Sequence, residues 1–436
     1  MIKNEGSIIS VLPLLCFVGV FLGFGIYTAD FYALPSPIAA LIGIVSAFVF
    51  LKGSINQKTD TFLKGCGDGK ILTMCIIYLL AGAFATVSKA TGSVDTIVNL
   101  GLNYISAAYF PVGVFVIASF LSFASGTSVG SIVTLGPIVI DLAEKSGSPL
   151  GLMGAALLSG AMFGDNLSVI SDTTIAATQS LGCEMKDKFK ANFRLALPAA
   201  LIAVIILLYI GFTADTSAVV PEKNEFNLLL ILPYLLVIAL SIIGINVFIV
   251  LFSGLLFAGI LGVATGTFGL MDFALNTYEG FTEMTEIFLL SLLTGGLAAL
   301  VEKAGGISFL LRNISKVIKS KRSALLGIGG LVTVANFCVA NNTIAILISG
   351  KVAREITHKY SLKPQESASI LDIFACYVQG IIPYGAQILL LISLSHFKIG
   401  YVDLVQNAFY LHLLLAVTLI SLLFGKKARA NTVNNN

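Results

Sequence analysis

The sequence predicts an all-α integral membrane protein of two inverted-topology repeats, with about ten transmembrane helices, two re-entrant helical hairpins and helices broken at mid-membrane. Three observations carry this prediction. The composition is 57% apolar and 11% charged, against about 25% charged in a soluble protein. The mean hydropathy of +0.95 leaves more apolar surface than a soluble core can hide. The second half also echoes the first: between 79–136 and 293–350, at a fixed offset and without a gap, 13 of 58 positions are identical.

The same counts exclude several classes. A formal net charge of +3 with no dense basic patch gives nucleic acid nothing to hold. The six cysteines and three histidines are scattered, without CxxC or HExxH spacing, so neither a zinc nor a redox centre is expected. No GxxxxGK[ST] serves an ATP-driven pump, and no Tyr-Asp pair serves an intramembrane aspartyl protease. The chain is not expected to be an enzyme.

A helix needs about 20 apolar residues to cross a bilayer, and charge at mid-depth is costly. Charge-free runs occupy 6–29, 31–51, 71–88, 96–140, 146–164, 195–214, 226–271, 287–301, 323–350, 373–397 and 404–425. The first run is too long for a cleavable signal and lacks a small-residue cleavage pattern. The 96–140 run holds a loop and then a helix beginning near Pro111. The 226–271 run is long enough for two crossings, broken at Gly244-Ile245-Asn246. Basic loops at 52–70, 183–194 and 302–323, with Lys426, Lys427 and Arg429, place those segments inside. The 265–286 segment, with Asp272, Glu279, Glu283 and Glu286 and no basic residue, belongs outside. One threading satisfies them: both termini cytoplasmic, ten crossings and two hairpins in the cytoplasmic (inner) membrane. Lys351, Arg354, Lys359 and Lys363 stand against it. The repeats are then 1–214 and 215–430, followed by a disordered tail at 431–436.

Repeats of opposite orientation follow from their charges. The segment after Gly92 has almost no basic residue, whereas its counterpart after Gly306 is the most basic in the chain. Such folds bind solutes where helices break, because freed backbone is tolerated only beside a cavity. The helix at 111–144 is expected to break at Ser125-Gly126-Thr127-Ser128, and its mate at 323–354 to break at Val339-Ala340-Asn341-Asn342-Thr343. Hairpins are expected at 151–182, with its tip at Gly164-Asp165-Asn166, and at 366–397, with its tip at Ile381-Ile382-Pro383-Tyr384-Gly385. Tips meeting breaks make two polar pockets related by a pseudo-twofold axis.

The densest polar stretch is Gly164-Asp165-Asn166-Leu167-Ser168-Val169-Ile170-Ser171-Asp172-Thr173-Thr174. A surface turn could have this composition, but apolar segments flank it on both sides, and an ionisable residue at membrane depth is a functional candidate. Carboxylates, hydroxyls and unwound carbonyls suit a hard cation such as sodium. Burial also favours the protonated carboxyl, so sodium and a proton compete for one group.

Here the sequence resembles the NhaC family of sodium/proton antiporters. The stretch is similar to that family's GD-x-LSP-x-SDTT signature, and Ser125-Gly126-Thr127-Ser128 resembles its TGTSWGT-like segment. Val169 stands where many members have Pro, and Asn166 where a Lys is frequent. The resemblance extends to a wider superfamily that includes carboxylate, amino-acid and lactate/malate carriers.

Asp165 and Asp172 are the leading sodium ligands or proton carriers. Asn166, Ser168, Thr173 and Thr174 are candidate oxygen ligands or helix caps, as are Ser125, Thr127 and Ser128. Asn341, Asn342 and Thr343 could build a second site at the mirrored break. Asp372, with no Lys or Arg near it in sequence, is either a second proton-titrating group or a mark of the hairpin entrance; Tyr384 and Gln387 are weaker candidates. Lys89 and Lys303 each end an apolar span as snorkelling anchors. The expected partners are sodium, protons and the bilayer, with a homodimer as one possible assembly and no cofactor beyond the transported sodium ion. The alternative is sodium- or proton-coupled transport of a small organic acid or amino acid. Candidate pockets without Lys or Arg favour the ion.

Overall fold

Apolar runs punctuated by Gly, Pro and Ser/Thr/Asn caps fold into helices throughout the described residues. The computed structural model describes residues 6–28, 33–213, 227–316 and 318–424, and there is no strand among them. The tail expected to be disordered, 431–436, lies outside the described residues. The first half runs α1 (Ile8–Thr28), α2 (Ser36–Phe50), α3 (Ile55–Cys66), α4 (Gly69–Thr91), α5 (Ser93–Tyr104), α6 (Phe110–Ser125), α7 (Ser128–Ser146), α8 (Leu150–Leu167), α9 (Asp172–Leu181) and α10 (Met185–Thr213). The second runs α11 (Leu232–Ile242), α12 (Val247–Ala264), α13 (Leu270–Glu283), α14 (Thr285–Lys303), α15 (Gly306–Lys316), α16 (Lys321–Val339), α17 (Asn342–Lys359), α18 (Pro364–Gln379), α19 (Ala386–Leu394), α20 (Tyr401–Asn407) and α21 (Phe409–Phe424).

Eight segments of the described residues are long and apolar enough to cross a membrane, and α20 with α21, bent by 50°, would make a ninth. The chain is a multi-pass membrane protein. The turn after α11 falls at Gly244, with φ of 78°, and Asn246 caps α12.

Elements recur at one offset. Adding 214 to the first residues of α7, α8 and α9 gives the first residues of α17, α18 and α19. Packing is reciprocal across the halves: α3 lies on α14 while α13 lies on α4, and α9 lies on α17 while α19 lies on α7. At the centre, the Cys376 thiol meets the carbonyl of Met162, its own counterpart at that offset, at 3.6 Å. Equivalent positions of α8 and α18 therefore meet.

The hairpins and the broken spans exchange places relative to the expectation. A methyl group on Gly160 would lie 2.3 Å from the Phe115 carbonyl oxygen, and one on Gly164 would lie 2.3 Å from that of Ser119. Residue numbers rise together along both helices, so α6 and α8 are parallel neighbours. Because α7 joins the end of α6 to the start of α8, it must run back beside them. Residues 110–146 are thus a hairpin with its tip at Gly126 and Thr127. By contrast, Leu150–Leu181 is one apolar span of 32 residues, interrupted at Ser168–Ser171 without turning back. The mirrored segment follows suit. Asn336 Nδ2 donates to the Ala375 carbonyl at 2.9 Å, repeating the 2.6 Å bond from Ser122 Oγ to the Ala161 carbonyl. There α16 packs along α17, while α18 and α19 seek different neighbours.

The charged stretch at 183–194 is helix rather than loop, since α10 begins at Met185. Its buried stripe, Lys188, Asn192, Ala196, Ala199, Ala203 and Leu207, follows the helical period.

Candidate functional site

Each hairpin tip is a short break whose backbone is fixed by local chemistry. Gly126, at φ of 73°, ends α6, and Thr127 caps α7 by accepting from Gly130 N at 3.2 Å. In the other half Ala340, at φ of 50°, ends α16, and Asn341 caps α17 by accepting from Ile344 N at 2.9 Å. Both tips face the joints of the broken spans.

Asp165 occupies the last turn of α8 and is buried. Its Oδ2 accepts from Ser128 Oγ at 2.7 Å and from Ser128 N at 3.3 Å, across from the hairpin tip. Its Oδ1 accepts from Ser171 Oγ, the N-cap of α9, which also lies 3.0 Å from Thr173 Oγ1. The carboxylate thereby accepts from two hydroxyls, with Thr173 Oγ1 beside the second, and among the described residues no cationic side chain is bonded to it. Hydroxyl oxygens that now donate to the carboxylate can turn their lone pairs to a cation beside it.

Polar bonding continues into the other half. Gln387 Nε2 donates to Ser128 Oγ at 3.1 Å, and Gln379 Nε2 donates to Gln387 Oε1 at 3.0 Å and to the Ala340 carbonyl at 3.3 Å. The two tips and the two joints therefore line one cavity of about 380 Å³, not the two pockets expected. Of the candidate residues, Thr127, Ser128, Asp165, Asp172, Thr173, Asn341, Asn342 and Thr343 line it together, as does Gln387. Asp172 is exposed at its wall, at the first turn of α9. The cavity also contains a lysine that the sequence pattern did not single out: Lys70, at the first turn of α4.

The remaining candidates do not line the cavity. Ser125 ends α6, and neither its buried hydroxyl nor that of Ser168 has a hydrogen-bond partner among the described residues. Tyr384 is buried and donates to the Phe337 carbonyl at 2.9 Å, which fixes the second joint to the second hairpin. Asn166, Thr174 and Asp372 form a separate cluster behind Asp165. Asp372, without a Lys or Arg near it in sequence, meets a lysine in the fold. Lys188 Nζ lies 2.6 Å from Asp372 Oδ2, and both side chains are 1% exposed. Lys188 also donates to Thr174 Oγ1 at 2.7 Å and to the Asn166 carbonyl at 3.2 Å. Asn192 Nδ2 donates to Asp372 Oδ2 at 2.9 Å and to the Asn166 carbonyl at 2.9 Å, and Asn166 Nδ2 donates to Asp372 Oδ2 at 3.2 Å. Lys188 and Asn192 were missed because they begin α10 in a run rich in charge. Their i, i+4 spacing in register with Ala196 and Ala199 was the available signal. Gln379 was also missed, although the offset of the repeat places it opposite Asp165.

Helix breaks of two repeats converging on a polar cavity, in an all-helical chain with at least eight apolar spans, define a membrane transport protein. The chain belongs to the Na+/H+ antiporter family, whose model matches residues 6–212 and 217–426. It is 24% identical to the malate-2H+/Na+-lactate antiporter of Bacillus subtilis, over 86% of this chain and 87% of that one. It is 23% identical to the Na+/H+ antiporter NhaC of the same organism, over 83% and 86% of the two chains. Among solved structures, the Alcanivorax borkumensis YdaH transporter aligns at 13% identity with a TM-score of 0.41, over 83% of this chain and 86% of that one.

Proposed function

We propose that the protein exchanges sodium for protons across the cytoplasmic membrane by alternating access, with Asp165 as the group that carries either cation. The observation that supports this reading is a buried carboxylate bonded, among the described residues, by two hydroxyls and a backbone amide, at the meeting of a hairpin tip and a broken span. Buried charge needs compensation. A proton on Asp165 or a sodium ion beside it supplies that compensation, and the two exclude each other. Ser128, Ser171 and Thr173 offer oxygens to sodium, with Asp172 on the cavity wall adding a second negative charge. The empty, doubly ionised site is the costly state to move through a membrane, and this couples one cation to the other.

Each half would supply five crossings and one hairpin: α1, α2, α4, the broken span α8–α9 and α10, mirrored by α11, α12, α14, α18–α19 and the bent pair α20–α21. Five crossings invert one half relative to the other, and both termini then lie in the cytoplasm.

Purified protein in acid-interior vesicles containing a pH dye tests the reading. External sodium should alkalinise the lumen promptly and do so with the voltage clamped. Silence toward sodium, lithium and potassium in tight vesicles removes cation/proton exchange. A second reading, exchange of a small organic acid, is favoured by one observation: a cavity of about 380 Å³ with Lys70 in its wall exceeds what one bare ion requires. Uptake of labelled malate or lactate in the same vesicles separates the two.

A further inference from the structure

The cluster around Lys188 is buried and rich in oxygens. Lys188 Nζ sits among three oxygens of three kinds: the Asp372 carboxylate at 2.6 Å, the Thr174 hydroxyl at 2.7 Å and the Asn166 main-chain carbonyl at 3.2 Å. That is the donor set a hard monovalent ion selects where a helix unwinds. Two further buried oxygens, Asp372 Oδ1 and Asn192 Oδ1, have no hydrogen-bond partner among the described residues, so the acceptor atoms in this cluster outnumber the donor atoms. The cluster also borders the proposed transport site through the chain itself, because Asn166 follows Asp165. It has no counterpart in the other half, where the offset of 214 puts Val402 in place of Lys188 and Leu158 in place of Asp372.

We infer that the Lys188 ammonium is a tethered substitute for a second sodium ion, holding closed a site made by Asp372, Thr174 and Asn166. The protein therefore carries one exchangeable sodium rather than two. Lys188 is built into the fold and cannot leave, so Asp372 stays neutralised throughout the cycle and only Asp165 trades cations. Without the ammonium, Asp372 is an uncompensated buried charge, which is strongly unfavourable. A free sodium ion is then the available replacement when the medium is alkaline and protons are scarce.

The inference rests on Asp165 being the open sodium site, and equilibrium binding of radioactive sodium to the purified full-length protein at alkaline pH tests the two separately. The wild type should bind one sodium per protein, and Asp165→Asn none. Lys188→Met should bind two. Adding Lys188→Met to Asp165→Asn should restore binding from none to one, and further adding Asp372→Leu should abolish it again. Sodium retained by Asp165→Asn overturns the assignment of Asp165. With Asp165→Asn binding none as expected, failure of its Lys188→Met derivative to bind sodium overturns the tethered-cation inference alone, as does a wild-type count of two. If Lys188→Met folds poorly, its yield in sodium against choline decides: recovery in sodium supports the inference, and equal loss in both overturns it.

Discussion

The two halves present the same broken span to the same cavity with opposite electrical characters. Where the first half has Asp165, the offset gives the second half Gln379; where the first has Thr173, the second has Gln387; and Ser128 on one hairpin tip corresponds to Asn342 on the other. The first joint gathers hydroxyls around a carboxylate. The second gathers amides instead, Gln379 donating to Gln387 and to the Ala340 carbonyl. Backbone geometry is duplicated while charge is not. A pseudo-symmetric scaffold can therefore carry one site for a charged solute, with the neutral half closing the polar surface around it. Ser128 joins the two, accepting from Gln387 while donating to Asp165.

Removing the charge should break this contrast most severely. Asp165→Asn keeps the shape but leaves nothing for a proton and sodium to contest, so sodium-driven proton movement should fall to the level of empty vesicles while the protein still elutes as a folded species. Gln379→Leu removes only neutral hydrogen bonds, at about 1 kcal/mol each, so exchange should persist with an apparent sodium affinity within about tenfold of normal. Equal inactivity of the two variants would mean that the halves contribute alike. Next in size are Ser128→Ala and Ser171→Ala. Each removes an oxygen bonded to the carboxylate, a contact on the scale of about 1.5–3 kcal/mol, and each should raise half-saturating sodium roughly tenfold or more with the maximal rate less affected. Acidity sharpens the same point. If protons and sodium share Asp165, each unit of acidification below the group's own pKa should raise half-saturating sodium about tenfold, and excess sodium should recover the rate. Inhibition by acid that sodium cannot overcome would place the proton elsewhere.

The membrane class, the helical segments and the two breaks were legible because each rests on local chemistry: apolar length, Gly in left-handed conformation, and Ser, Thr or Asn at a cap. The polar stretch from Gly164 to Thr174 was also legible as a candidate, since an ionisable residue at membrane depth is a functional hypothesis, and Asp165, Ser171, Asp172 and Thr173 line the cavity. Which segment turns back was not. A hairpin and a broken span share the same signature, two apolar arms around a polar gap. Only the parallel packing of Gly160 and Gly164 of α8 against α6 distinguishes them. Lys188 was hidden for a related reason. Beside Lys186, Lys190 and Arg194 it looks like one more positive charge of a cytoplasmic loop, and its partner Asp372 lies in the other half of the chain. In the fold Lys188 reaches from α10 to the main-chain carbonyl of Asn166.

The finest difference between the halves is at the hairpin tips, where it concerns stability rather than chemistry. Gly126 and Ala340 hold equivalent left-handed positions, at φ of 73° and 50°. That conformation costs an L-residue roughly 1–2 kcal/mol, whereas glycine adopts it freely at an entropic cost of roughly 0.5–1 kcal/mol. Ala340→Gly should therefore stabilise the second tip by less than about 1 kcal/mol, seen as a small rise in the thermal midpoint in detergent with sodium exchange unchanged. Gly126→Ala should act in the opposite direction and more strongly. Besides the backbone cost, its methyl group would lie 2.9 Å from Ile170 Cγ1, at the joint that Asp165 and Ser171 hold together. A loss of sodium affinity in Gly126→Ala, alongside its lower midpoint, would follow from displacement of that joint. A midpoint that falls in both variants would show that Ala340 is held by its surroundings and not merely tolerated, and the two tips would then differ in mechanics as well as in charge.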